Sequence, residues 1–200
     1  MKSIYLAILN QGSIRTELVK IIVHLTHHNK YTLTVDYPAD KPIANNRNKI
    51  VQEFLESGHD YLLMLDGDIV PPNNILNLAD LDKDIIGGLC FAMPGDMIIP
   101  LVMKKTPKGY VAMSGEGLIE CDGIGSGCMM IARRVLEKVK APFLNQYDNN
   151  GIKRLGLDFY FCEQAKKQGF SVYCRTDFPC SHITMADLKQ IYNTRYINEN

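Results

Sequence analysis

The chain has 200 residues, of which 46% are hydrophobic and 22% charged, and its 22 basic residues balance 22 acidic ones. This length and composition predict one soluble globular domain whose core needs no disulfide or metal for stability. Zero net charge and the lack of a long Lys/Arg block argue against nucleic acid and anionic membranes as main partners.

The N-terminal sequence has only a short apolar run and lacks the features of a signal peptide. No stretch of the chain approaches the ~18 apolar residues that a membrane span requires. The six cysteines form no C-x-x-C pair, which favours a reduced, cytoplasmic protein. They are Cys90, Cys121, Cys128, Cys162, Cys174 and Cys180.

The first part of the chain alternates between strand and helix patterns. A strand is predicted at Ser3–Leu9, a helix over 13–28 and a second strand over 31–35. The next helix is predicted to end at Gly58, and residues 61–65 form a wholly apolar run that is typical of a parallel strand covered on both faces. This β-α-β-α-β order predicts an α/β fold.

The rest of the chain continues without a clear linker, so we predict a single domain. Its predicted strands lie within 84–91 and at 109–113, 118–121, 127–133 and 171–174, and its predicted helices at 135–140, 159–168 and 185–197.

An unusual motif follows the apolar run in the segment YLLMLDGDIVPP. Asp66 and Asp68 fall beyond the carboxyl end of a strand, where open α/β sheets bind ligands. Side chains two residues apart on an extended chain point to the same side, and Gly67 leaves room for close approach. Pro71 and Pro72 are expected to hold the exit extended.

Two carboxylates at a strand end suit Mg²⁺ or Mn²⁺, with a phosphate completing the coordination. The motif therefore indicates a site for a nucleoside diphosphate. The alternative is a solvated turn in which Asp66 and Asp68 act only as turn formers.

Four segments, taken in order, carry a resemblance to a known family. The first is the strand that ends in D-x-D, after a helix that opens with Arg47-Asn48. The second is DGIGSGCMMIARRVLEKV, the third is GLDFYFCEQAKKQGFSVYC, and the fourth is Ser181-His182. Together they resemble small family 2-like glycosyltransferases of the GT-A fold from bacteria and phages. The resemblance implies a Rossmann-like, mostly parallel sheet flanked by helices. Residues 1–91 would form the nucleotide-binding half with the D-x-D motif, and 92–200 the acceptor and catalytic half.

The resemblance implies transfer of a sugar from a UDP- or GDP-linked donor to an acceptor hydroxyl, with Mn²⁺ or Mg²⁺ as cofactor. Asp68 would bind the metal, and Asp66 would contact the ribose or bind the metal through water. His182 would complete the metal site or touch the diphosphate, since neutral imidazole is a suitable ligand for Mn²⁺. The alternative for His182 is a structural histidine.

Further donor-binding residues follow from the same resemblance. Arg47 would hold a diphosphate oxygen or the nucleotide, or else be a solvated arginine. Asn10 and Gln11 would read the nucleobase, or else form a polar turn. Gly67 would let the backbone approach the nucleotide sugar.

The catalytic residue implied by the resemblance is Asp158, as the general base that accepts the proton of the acceptor hydroxyl. A helix is predicted to start right after Asp158, so it could also be an N-cap. Leu157 stands where the family usually has an acidic residue. Gly125, Ser126 and Gly127 would let the backbone approach the sugar or acceptor, or else form a tight bend.

Two other interpretations are open. In a haloacid-dehalogenase-like phosphotransferase, Asp66 would be the nucleophile and Asp68 the acid, but that motif usually lies on the first strand. A non-catalytic zinc- or nucleotide-binding module would use zinc ligands whose spacing matches no known zinc pattern. Those ligands would be Cys162, Cys174, Cys180 and His182.

Overall fold

The structure is a computed structural model that describes residues 1–27, 29–94 and 97–184. The helix expected over 185–197 lies outside these residues. Seven strands of the described chain form the central sheet. In chain order they are β1 (Ser3–Leu9), β2 (Thr32–Asp36), β3 (Tyr61–Asp66), β4 (Ile85–Leu89), β5 (Leu118–Cys121), β6 (Cys128–Ala132) and β7 (Val172–Pro179).

The strands are arranged in the order β5-β7-β4-β6-β3-β1-β2. Strands β2, β1 and β3 are parallel, and β7 is parallel to β4. Strand β6 is antiparallel to both β3 and β4, and β5 is antiparallel to β7. The sheet is therefore mostly parallel, because only β5 and β6 run against the other five strands.

Within the described residues, four helices flank the sheet, and each buries apolar residues in the common core. They are α1 (Thr16–Thr26), α2 (Ile43–Ser57), α3 (Arg133–Lys138) and α4 (Leu157–Lys167), and a 3₁₀ helix covers Ile75–Leu81. Helix α2 ends at Gly58, which has the left-handed conformation (φ 77°) expected from a glycine stop.

Short strands lie outside the central sheet. Val102–Thr106, Gly109–Ala112 and Gly123–Ile124 form a three-stranded sheet, in which Val102–Thr106 is the middle strand. The remaining strands pair two by two: Ile69–Val70 with Ser181–His182, Phe91–Ala92 with Ile99–Pro100, and Gln146–Tyr147 with Lys153–Leu155.

These elements confirm the α/β fold class, the mostly parallel sheet and the flanking helices. All four helices begin two to four residues away from their predicted starts, and two of these differences concern Arg47 and Asp158. Helix α2 begins at Ile43, so Arg47 lies in its second turn rather than at its start. Helix α4 begins at Leu157 with Gly156 as its N-cap, so Asp158 belongs to the first turn and is not the cap.

The fold brings the ends of several strands to one edge of the sheet. The carboxyl ends of β1, β3, β4 and β7 lie there, together with the amino end of the antiparallel strand β6. The motif and loop residues that were identified from sequence lie directly beside these strand ends. Among the described residues, no helix is long and apolar enough to cross a membrane.

Candidate functional site

Asp66 is the last residue of β3 and is held by a buried arginine. Nη2 of Arg47 donates to both oxygens of the Asp66 carboxylate, at 2.8 and 3.1 Å. Only 4% of the Arg47 side chain is exposed, against 31% for Asp66. The opposite Nη1 donates to the carbonyl of Ser126 at 3.4 Å. Arg47 therefore ties strand β3 to the loop before β6.

The carboxylate of Asp66 lies among other negative charges. Burial raises its pKa, and the nearby carboxylates of Asp158 and Asp68 raise it further, whereas Arg47 acts in the opposite direction. Three carboxylates thus converge on a site in which one arginine compensates only partly. A bound cation would reduce the repulsion among these carboxylates.

The D-G-D segment is a turn rather than an extended chain. Strand β3 ends at Asp66, and Gly67 and Asp68 form a turn before the short strand Ile69–Val70. The Gly67 N–H donates to the carbonyl of Leu9 at 2.7 Å. Because of this turn, the two carboxylates have different neighbours: Asp66 contacts Arg47, and Asp68 faces His182.

His182 reaches Asp68 through a strand pairing. Ser181–His182 pairs antiparallel with Ile69–Val70, and this places His182 Nε2 3.4 Å from Asp68 Oδ2. The other ring nitrogen, Nδ1, lies 2.9 Å from the carbonyl of Phe91. A proton on Nδ1 would satisfy that carbonyl and leave the Nε2 lone pair directed toward Asp68, as in metal-binding histidines.

These donors fit a divalent cation only in part. A carboxylate oxygen and an imidazole nitrogen 3.4 Å apart have the chemistry and spacing of neighbouring ligands to Mn²⁺. However, no three His, Cys, Asp or Glu side chains in the described part of the chain group closely enough to hold a metal ion. A cation at Asp68 and His182 would thus need further ligands from a substrate or water.

The glycine-rich loop before β6 links Asp66 to Asp158. The Asp66 N–H donates to the Gly127 carbonyl at 3.0 Å. The fully buried Ser126 donates its hydroxyl to Asp158 Oδ1. A Cβ atom on Gly127 would lie 3.3 Å from Asp66 Oδ2, so glycine permits this close approach. At Gly125, a Cβ atom would lie only 2.7 Å from the Leu101 side chain.

Leu157, at the position where an acidic residue was expected, is buried in the core. Its backbone N–H donates to Asn145 Oδ1 at 3.1 Å, and this hydrogen bond anchors the start of α4. The apolar side chain therefore leaves Asp158 as the acidic residue of the first turn.

A cleft of about 700 Å³ opens beside the D-G-D turn. It is lined by Leu9, Asn10, Gln11, Ser13, Ile14, Arg15, Ile43, Asp66, Gly67 and Asp68. Gln11 is exposed in this cleft, and its contact with a nucleobase stays a prediction.

Asn10 lines the same cleft, but its side chain also holds the loop together. Its amide nitrogen donates to the carbonyls of Tyr37 and Pro38, at 3.4 and 3.3 Å. Its Oδ1 accepts the Gly12 N–H at 2.9 Å. Asn10 therefore has a structural role, and its contact with a nucleobase stays a prediction.

A second cleft, of about 610 Å³, lies on the other side of the Asp68–His182 pair. His182 and Ser181 line it together with apolar residues, among them Phe91, Met93 and Ile98. Asp68 lines the first cleft and His182 the second, so the pair lies between them.

Sequence reasoning missed several residues of the first cleft, namely Ser13, Ile14, Arg15 and Ile43. Residues 13–15 were assigned to a helix that begins only at Thr16. Their position just after β1, at the carboxyl edge of the sheet, was the signal that could have identified them. Ile43 was missed because the start of α2 was placed too late.

No protein-family model and no curated protein matches the sequence significantly. Solved structures do match the fold. A197 from STIV is 22% identical, with a TM-score of 0.63 over 92% of this chain and 87% of the other. This likeness shows that the two chains share a fold.

Two further structures are more distant. UDP-glucose pyrophosphorylase complexed with UDP-glucose is 9% identical, with a TM-score of 0.49 over 100% of each chain. A glycosyltransferase involved in the glycosylation of the major capsid of PBCV-1 is 15% identical, with a TM-score of 0.39 over 68% of this chain and 63% of the other.

Proposed function

We propose that this protein is a metal-dependent glycosyltransferase that moves a sugar from a UDP- or GDP-linked donor to an acceptor hydroxyl. The observation that carries the proposal is the arrangement around the D-G-D turn: Asp66 and Asp68 line the 700 Å³ cleft, His182 faces Asp68, and Asp158 is near enough to Asp66 to raise its pKa. The sequence resemblance to GT-A-fold glycosyltransferases assigns roles to the same four residues.

The cleft has a volume suited to a nucleotide, since ligand pockets usually measure about 300–1,000 Å³. Asp68 and His182 would hold Mn²⁺ or Mg²⁺, with Asp66 acting on the ion through water or on the ribose. When bound, the ion would stabilise the negative charge that develops on the departing diphosphate. Gln11 would lie close to the base or ribose.

Asp158 would act as the general base. Ser126 donates a hydrogen bond to Oδ1, and this orients the carboxylate and leaves Oδ2 free to accept a proton. The acceptor oxygen would attack the anomeric carbon while the bond from that carbon to the diphosphate oxygen breaks. The electron pair of that bond goes to the diphosphate, and the hydroxyl proton goes to Asp158.

Nucleotide binding gives the first test. We expect UDP or GDP with Mn²⁺ to raise the melting temperature, because a ligand that binds only the folded state stabilises it by about 2.7 kcal/mol at 100 times its Kd. EDTA should remove most of the shift, and so should Asp68→Ala. No shift with either nucleotide, or a shift with Zn²⁺ alone, would contradict the proposal.

Turnover gives the second test. Asp158→Asn should bind the nucleotide as the wild type does but release nucleoside diphosphate from a panel of nucleotide sugars about 10²–10⁴-fold more slowly. Wild-type turnover in this variant would remove Asp158 from the mechanism. Phosphate release from phosphomonoesters that depends on Asp66 would instead identify a phosphotransferase.

A further inference from the structure

The arginine expected to bind the diphosphate is already engaged within the protein. Arg47 is 3% exposed, and its two terminal nitrogens contact Asp66 and the carbonyl of Ser126. To reach a diphosphate, the buried guanidinium would have to give up its contact with the partly exposed Asp66 carboxylate. Such a separation is strongly unfavourable.

A second arginine lies in the cleft itself. Arg15 precedes α1, and its backbone N–H donates to the carbonyl of Gly67 at 3.0 Å. The backbone of Arg15 is thereby fixed beside the D-G-D turn. Arg15 is half-buried and lines the same cleft as Asp66 and Asp68.

Among the described residues that line this cleft, Arg15 is the only basic one, and two are carboxylates. Its guanidinium forms no hydrogen bond or ion pair with the rest of the described chain, whereas Asp66 pairs with Arg47 and Asp68 faces His182. The cleft thus has an arginine available for an anionic ligand.

We propose that Arg15 binds the diphosphate of the nucleotide donor, an inference that rests on the proposed function. A planar guanidinium can donate two parallel hydrogen bonds to phosphate oxygens, which an ammonium group cannot do. Because Arg15 carries its charge without a metal, it would supply the part of diphosphate affinity that survives in EDTA. Asp68 and His182 would supply the metal-dependent part.

The test compares the affinities of UDP and uridine by calorimetry, with Mn²⁺ and with EDTA. Arg15→Ala and Arg15→Gln should bind UDP about 10–100-fold more weakly than the wild type, as expected for a charge-assisted hydrogen bond. Affinity for uridine, which lacks phosphate, should not change. Arg15→Lys should recover only part of the UDP affinity, because lysine lacks the paired donors.

Lys20→Ala is the matched control, since it removes an exposed positive charge from the same helix outside the cleft. It should leave UDP affinity within about twofold of the wild type. Equal losses for UDP and uridine, or wild-type UDP affinity in Arg15→Gln, would overturn the inference while leaving the proposed function intact. A wild-type protein that binds neither UDP nor GDP would overturn both.

Discussion

At the scale of single residues, Asp66 has two roles: it pairs with the buried Arg47, and it lines the candidate binding cleft. The Arg47 side chain is almost fully buried, and its Nε has no hydrogen-bond partner in the described structure. The charge of Arg47 is therefore compensated mainly by Asp66. A carboxylate that stabilises a buried arginine and also faces a ligand cleft cannot be removed without an effect on folding.

We predict that Asp66→Ala destabilises the ligand-free protein by about 2–4 kcal/mol, because the mutation leaves a buried guanidinium without its counter-charge. The estimate lies below that for a fully buried pair, since Asp66 is 31% exposed and water can partly replace it. Urea unfolding in EDTA measures the change in the free energy of unfolding.

Asp68→Ala is the control for this prediction. Its side chain is 48% exposed and faces only His182, so the mutation should change the free energy of unfolding by less than about 1 kcal/mol. Adding Arg47→Met to Asp66→Ala should restore part of the lost stability, because it removes the uncompensated charge. Equal stability of Asp66→Ala and Asp68→Ala would contradict this account of the pair.

At the scale of elements, a carboxylate joins the three-stranded sheet to helix α4. Asp122 accepts the backbone N–H of Lys105 at 2.9 Å and contacts the ammonium groups of Lys166 and Lys104. Burial opposes ionisation of Asp122, but the bonds from Lys166 and Lys105 outweigh it and lower its pKa. The ionised carboxylate therefore stabilises the folded state.

We predict that Asp122→Asn lowers the free energy of unfolding by about 1–2 kcal/mol at pH 7. Because the folded-state pKa is depressed, the contribution of Asp122 is present above the unfolded-state pKa of about 3.9 and is lost as the pH falls through the folded-state value. The variant and the wild type should therefore converge in stability near or below about pH 3. Urea titrations from pH 7 downward measure this difference.

Glu116→Gln provides the comparison, since Glu116 is an exposed carboxylate in the loop before β5. Its effect should stay within about 0.5 kcal/mol across the same pH range. A stability difference for Asp122→Asn that persists unchanged below pH 3 would show that the effect does not come from its ionised form.

Most elements could be predicted from local pattern. The strands β1 and β3 were visible as apolar runs, and the end of α2 was visible as a glycine. The structure has these elements where the local sequence predicts them. The start of α2 was missed because Asn46 and Arg47, which are polar, form part of its buried face. Hydrophobic periodicity assigns such residues to solvent, so it placed the helix start too late.

The sequence could single out candidate site residues but not the contacts that they make. The D-x-D motif stood out because it follows an apolar strand, and His182 stood out through the resemblance to GT-A-fold glycosyltransferases. The pairing of Asp68 with His182 depends on two strands that are separated by more than a hundred residues and have only two residues each. Arg15 was missed because it follows β1 in a loop that has no motif.

At the scale of the whole molecule, the sheet interleaves the two halves of the chain. Strand β6, from the second half, lies between β3 and β4 of the first half. Strand β7 in turn pairs with β4. Strand β4 of the first half pairs with β6 and β7 of the second, and β6 also pairs with β3. Each half therefore loses strand pairings when the other unfolds, so residues 1–91 and 92–200 should unfold as one cooperative unit.

The cysteines provide a measurement of this cooperativity, because all six are free and buried. Burial raises the pKa of Cys121 to about 11, and those of Cys162 and Cys174 to about 12, so native thiols should react very slowly at pH 8. We predict that pulsed thiol labelling across a urea titration exposes Cys90 of the first half and Cys174 of the second at the same midpoint. That midpoint should coincide with the loss of circular dichroism, whereas separate midpoints for the two cysteines would show that the halves unfold independently.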